Sequence, residues 1–163
     1  MRISDRGQTS HSTYFVTSST FDKRQLFQSP RYAELLLTVI SEKRDSGKLH
    51  VHEYVIMPDH FHLLMTPAAG LTLERVMQLI KGSYSFRIKK EYGFGAEVWQ
   101  TSFYDRRVRD AEEYERFRVY IHMNPVRRGI AARSEDYRFT SAGNILRLDP
   151  VPQRLKPQIP SAL

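Results

Sequence analysis

The sequence predicts a single α+β domain whose elements run β-α-β-β-α-β and end on an extra helix. Three observations carry that prediction. Short β-branched and aromatic runs alternate with longer stretches of helical apolar spacing. Two strand-like segments follow each other across the turn pair Pro58-Asp59. Each helical stretch is headed by a proline or a capping residue.

The first strand is STYFVTS (12–18). Ser29-Pro30 opens a helix with an N-cap and a proline at its first position, Ala33, Leu36, Leu37 and Ile40 give it an apolar stripe, and Gly47 stops it. LHVHEYVIM (49–57) and HFHLLMT (60–66) form a hairpin. A second helix follows Thr72, with Leu73, Val76, Met77 and Ile80 as its buried face, and EVWQTSFYDRRVR (97–109) is a bent strand. The third helix starts at Asp110, whose side chain caps it while Glu113 reaches back in a capping box. This order is the ferredoxin-like split β-α-β pattern: an antiparallel sheet with helices packed on it, plus a C-terminal helix. The fold hosts many chemistries, so function must come from the side chains.

A chain of 163 residues suits one domain, read here as 1–148, followed by a proline-rich extended tail at 149–163. No apolar run reaches the ~20 residues that span a bilayer. The N-terminal MRISDRGQTSHST lacks the apolar core of a secretory signal, and zero cysteines exclude a disulfide scaffold or a thiolate metal site. Both fit a reducing cytoplasm. The excess of 25 Lys+Arg over 18 Asp+Glu, a formal net charge of +7, favours a polyanionic partner such as nucleic acid.

Within MPDHFHLLMT, strand alternation places His60 and His62 on one face and Phe61 on the other. Two imidazoles so placed can converge on one cation, whereas a lone strand histidine is usually a hydrogen-bonded structural residue. A second triplet, His50-Val51-His52, complicates the choice. With a two-residue hairpin at Pro58-Asp59, Val55 pairs with His62, and His50 and His52 fall on the opposite face. The two pairs then cannot form one four-histidine site, and a third ligand is needed.

The helix YERFRVYIHMNPVRRG offers it. Tyr114, Phe117 and Ile121 form its core stripe, and Tyr120 and Asn124, four apart, are neighbours on an adjoining face. Pro125 is expected to end or bend the helix at Asn124. A phenol is a poor nucleophile at neutral pH, with an unperturbed pKa near 10. A divalent ion held by two imidazoles and an amide oxygen could polarise a phosphodiester for its attack. A packing tyrosine and a helix-stop asparagine are the plainer alternative for this pair.

These segments together resemble the REP-associated tyrosine transposases of the HUH (His-hydrophobic-His) nuclease superfamily, relatives of the single-strand-cutting insertion-sequence transposases. The resemblance spans residues 12–142 and rests on YFVTSSTFDKRQLF, EYVIMPDHFHLLMTP, IKGSYSFRIKKEYG, VWQTSFYDRRVRD and YIHMNPVRRGI. It implies His60, His62 and Asn124 as ligands of Mg²⁺ or Mn²⁺, Tyr120 as the nucleophile, and single-stranded DNA near palindromic hairpins as the substrate. It further implies a 5′-phosphotyrosine intermediate and a free 3′-hydroxyl.

Contacts to DNA are expected from Arg127 and Arg128, which adjoin the site, and from Lys81, Tyr84 and Arg87, where cations and aromatics interleave. For the latter stretch a solvated amphipathic helix is an equal alternative. Two other functions compete with the enzyme: a hairpin-binding protein without turnover, and an RNA-binding module. RNA readers of this architecture put stacking aromatics on the sheet face, where this chain puts histidines. The sequence leaves monomer and dimer both open.

Overall fold

The structure is a computed structural model and describes residues 11–143 and 145–159. Residues 1–10, most of the stretch read above for a signal sequence, lie outside the described residues. Four strands, β1 (Tyr14–Ser19), β2 (Leu49–Met57), β3 (His60–Pro67) and β4 (Tyr104–Arg107), form one sheet in the order β2-β3-β1-β4. All neighbours are antiparallel. Helices α1 (Pro30–Asp45) and α2 (Leu73–Tyr92) cover one face, and α3 (Ala111–Arg127) covers the other. The expected ferredoxin-like architecture with an added helix is what the chain forms.

Strand alternation divides the core in two. Val16, Val51, Tyr54, Ile56, Phe61, Leu63 and Met65 face α1 and α2 in the larger cluster. Phe15, Val55, Met57 and Leu64 face α3, where Tyr114 and Ile121 meet them. In β1 and β3 the odd and even positions thus belong to different layers. A one-residue slip would exchange them.

Such a slip is built into β2. Val51 pairs with Met65 but Glu53 pairs with Leu64, so His52 is an extra residue in a β-bulge. The expectation that His50 and His52 lie opposite His62 is therefore corrected. His50 pairs with Thr66, on the face of His62, and His52 Nε2 lies 2.8 Å from Thr66 Oγ1. No four-histidine site results, because His52 is engaged four residues along β3 from His62, about 13 Å at the rise of a strand.

Three further local expectations are revised. The bent strand narrows to β4, because Trp99 turns into the core, its Nε1 donating to Lys81 O at 3.0 Å beside Phe27, Phe61 and Tyr84. Ser29 stands at the N-cap of α1 but makes no side-chain cap, whereas Thr72 Oγ1 and Asp110 Oδ1 accept from Arg75 N at 3.1 Å and Glu113 N at 2.8 Å. The Glu113 carboxylate does not complete a capping box. It accepts from Arg109 N and from Arg106 Nε, drawn toward the guanidinium on β4.

Pro125 does not end α3, which runs on to Arg127. A proline removes one donor, and near a helix terminus the deficit is a single carbonyl. Gly129, at φ 69°, closes the end, with Gly129 N donating to Val126 O and Ile130 N to Pro125 O.

The proline-rich segment beyond residue 148 is tethered to the sheet. Asp149 N donates to Val51 O at 2.7 Å, and the Asp149 carboxylate accepts from Val51 N and from Arg44 Nε and Nη2 at 2.8 to 3.0 Å. Leu155 is buried in the α3-side core. Asp149→Ala is expected to lower stability by about 1–3 kcal/mol, since it strands a half-buried guanidinium and a strand amide. An unfolding free energy from urea denaturation within about 0.5 kcal/mol of the parent would show that this tether carries no stability.

Candidate active site

His60 and His62 leave β3 on the α3 side, with ring centroids 4.8 Å apart. Both are buried. His60 Nδ1 is 2.6 Å from Asp59 Oδ1, and His62 Nδ1 is 2.8 Å from Thr17 Oγ1. Phe15 stacks on His62 at 5.2 Å and on Phe117 at 4.4 Å, fixing the ring plane from the side.

Helix α3 supplies the other half. Tyr120 lies edge-on to His62 at 5.4 Å and to Phe15 at 5.8 Å. Its side chain remains 39% exposed, open enough for an extended substrate to reach. Asn124, one turn on, is buried, with Nδ2 3.2 Å from His62 Nε2. Its Oδ1 is buried with no hydrogen-bond partner among the described residues. An orphan buried acceptor costs about 1–3 kcal/mol, so this atom is suited to accept a further partner.

The electrostatics are cationic around a neutral centre. Burial pushes the His62 pKa down to about 3, and the neighbouring His60 and Arg128 push the same way. Burial also lowers His60, against the opposing Asp59 carboxylate, with Arg128 and Lys23 adding to the lowering. Both imidazoles are thus neutral at physiological pH, the form that ligates metal. Arg127 Cζ sits 5.4 Å above the Tyr120 ring.

Among the described residues, no three His, Cys, Asp or Glu side chains gather as a metal cage. A cation here would rest on the two Nε2 edges and the Asn124 amide oxygen. The donor set fits a divalent ion: Nδ1 of each ring is already engaged, Nε2 of His62 faces the Asn124 amide, and Oδ1 of that amide is unpartnered among the described residues.

The structure thus brings together His60, His62, Tyr120, Asn124, Arg127 and Arg128 within one chain. It does not bring Lys81, Tyr84 or Arg87 to them, because α2 lies on the far face of the sheet. Tyr84 is fully buried and donates its hydroxyl to Tyr32 O, so it cannot stack on a base. Arg87 is paired with Glu42 and Glu91, and Lys81 Nζ donates to Gln100 O. Their interleaved pattern reflects an amphipathic helix, buried at Tyr84 and solvated at Phe86. The sequence reading missed Phe15, Thr17 and Lys23. Alternation in STYFVTS puts Phe15 and Thr17 on one face, but only the β1–β3 register shows that it is the histidine face.

Comparison with known proteins places these features in context. The family described as Transposase IS200 like matches residues 8–124. A REP-associated tyrosine transposase of Escherichia coli K12 is 25% identical over 135 residues, covering 79% of this chain and 75% of that protein. A Haemophilus influenzae protein, provisionally given the same name, is 26% identical over 153 residues, covering 83% and 82%. The solved structure of a REP-associated tyrosine transposase bound to a REP hairpin superposes with a TM-score of 0.74 at 23% identity, covering 88% of this chain and 84% of that one.

The depressed His62 pKa carries a stability consequence. Folding lowers the ring's proton affinity, so the unfolded chain takes up protons first as pH falls. The contribution is present in full above the unfolded pKa of about 6.5 and is lost as pH falls from there toward about 3. In the metal-free protein, His62→Gln should reduce the loss of unfolding free energy between pH 7 and 4, by an amount on the order of a few kcal/mol. Identical pH slopes for parent and variant, measured by urea unfolding, would exclude His62 as a source of acid lability.

Proposed function

Since the chain belongs to the IS200-like transposase family, enzymes that cleave and rejoin DNA strands, we propose that it acts on single-stranded DNA near palindromic REP-type hairpins through Tyr120. The observation that carries this reading is the placing of the Tyr120 ring 5.4 Å from His62, with the unpartnered Asn124 Oδ1 one helical turn away. The hairpin seen on the structural relative supports the substrate class. A binding protein without turnover has no need of a tyrosine, two neutral imidazoles and an orphan amide gathered at one point.

His60, His62 and Asn124 are the residues that would hold Mg²⁺ or Mn²⁺. Such an ion supplies Lewis-acid polarisation of a non-bridging phosphate oxygen when bound. Tyr120, at the exposed edge of the site, attacks phosphorus through Oη. The Oη–P bond forms, the P–O3′ bond breaks, the phenol proton passes to solvent, and the 3′-oxygen takes a proton from solvent and leaves as a hydroxyl. The product is a 5′-phosphotyrosine that keeps the bond energy for rejoining, by the same steps reversed. Arg127, above the phenol ring, holds it by a cation–π contact. Arg128, close enough to act on both histidines, and Lys23, close enough to act on His60, would meet phosphates flanking the attacked bond.

Tyr104 and Tyr114 are the rival nucleophiles. Burial raises the Tyr114 hydroxyl well above its ordinary pKa, and its ring belongs to the α3-side core. Tyr104 pairs with Thr17 on β4, on the histidine face but two strands from His62, about 10 Å at strand spacing. With labelled hairpin DNA and Mn²⁺, the parent, Tyr104→Phe and Tyr114→Phe should yield a detergent-stable protein–DNA adduct. Tyr120→Phe, lacking one oxygen, should bind hairpin but yield none. An adduct that survives in Tyr120→Phe would remove the assignment.

The net charge of +7 leads to a second expectation. Affinity for single strands should fall steeply with salt, and Arg127→Ala and Arg128→Ala should each flatten the log–log slope by about one unit. Unaltered slopes in both variants would mean that neither arginine meets phosphate.

A further inference from the structure

The two imidazoles are held by partners of different kinds, and neither partner belongs to the residues assigned so far. Thr17 lies directly across from His62 in the β1–β3 register, with Oγ1 2.8 Å from Nδ1. Asp59, in the hairpin turn, sets Oδ1 2.6 Å from Nδ1 of His60. We infer that Thr17 and Asp59 are positioning residues that fix both rings with their Nε2 lone pairs turned into the site, and so set its affinity for a divalent cation. The inference rests on the reading of His60 and His62 as ligands.

A neutral imidazole carries one N–H and one lone pair. A carboxylate only accepts, so at His60 the hydrogen sits on Nδ1 facing Asp59 and the lone pair on Nε2. At His62, Nε2 faces the amide nitrogen of Asn124 at 3.2 Å, and that nitrogen only donates. Nε2 therefore holds the lone pair here too, and Nδ1–H donates to Thr17 Oγ1. Both rings share one tautomer, with both lone pairs on the α3 side.

Neither partner is free to drift. Thr17 is pinned in the sheet by β3 on one side and β4 on the other. Asp59 is held through its backbone, where O accepts from Thr20 N at 2.9 Å and from Thr20 Oγ1 at 3.0 Å. The two supports also differ in strength. The carboxylate makes a charge-assisted bond that raises the basicity of His60, while the hydroxyl gives His62 a neutral bond that mainly orients it.

The test is Mn²⁺ titration of the metal-free full chain by calorimetry, with ¹⁵N NMR of the imidazole nitrogens as the tautomer readout. Thr17→Val keeps a β-branched side chain on the strand, so its thermal midpoint should stay close to that of the parent. It should nevertheless bind Mn²⁺ about 10–100-fold more weakly and lose the fixed Nδ1–H form of His62. Thr17→Ser should restore both, and Asp59→Ala should produce the corresponding loss at His60. Parent affinity and parent tautomers in Thr17→Val or in Asp59→Ala would overturn the inference for that residue. If Thr17→Val does not fold, Asp59→Ala, changed in a turn, decides alone. If the parent binds no Mn²⁺, or binds it equally well as His60→Ala, it is the ligand reading that fails.

Discussion

Two uncharged imidazoles buried side by side between a sheet and a helix are the constraint around which this molecule is arranged. His60 and His62 sit in the α3-side layer, and each Nδ1 has its own partner from a neighbouring segment. That requirement fixes β1 beside β3 in one register, since Thr17 must oppose His62 and Phe15 must stack on it. It also explains why a third helix is needed. Without α3, the histidine face of the sheet, with Val55, Met57 and Leu64, would be open to water.

Helix α3 does two jobs at once. Tyr114 and Ile121 pack it onto the sheet, and the adjoining face carries Tyr120 and Asn124 toward the histidines. The continuation through Pro125 gives the last turn its purpose: Arg127 comes back over the Tyr120 ring and Arg128 comes close to the imidazoles. The opposite layer, under α1 and α2, is closed, with Trp99, Phe27, Phe61 and Tyr84 packed together. The candidate site and the larger core cluster thus lie on different faces of one sheet. No helix among the described residues is long and apolar enough to cross a membrane.

The element order, the hairpin register and the histidine face were legible because they depend on local alternation and on short connections. Val55 opposes His62 as a two-residue turn requires. The pairing of Tyr120 with Asn124 was legible for the same reason, since helical spacing is local. What failed depended on distant partners. The bulge at His52 has no local signal in LHVHEYVIM, and it carries His50 and His52 across to the other face. The helix end expected at Pro125 fell later because the helix is closed from beyond the proline, by Gly129 and Ile130. Tyr84 was misread because the same periodicity serves a buried helix face and a nucleic-acid surface. Only the packing of α2 against α1 distinguishes them, with Tyr84 bonding to Tyr32 O and Arg87 to Glu42.

The central claim is that one point, bounded by two Nε2 atoms and an amide oxygen, is built to hold a divalent cation beside Tyr120. Anomalous diffraction from crystals soaked in Mn²⁺ tests it most directly. The account predicts a single strong peak between His60, His62 and Asn124, with the Asn124 Oδ1 turned toward it. A map featureless there, or with its peak at His52 instead, would contradict it.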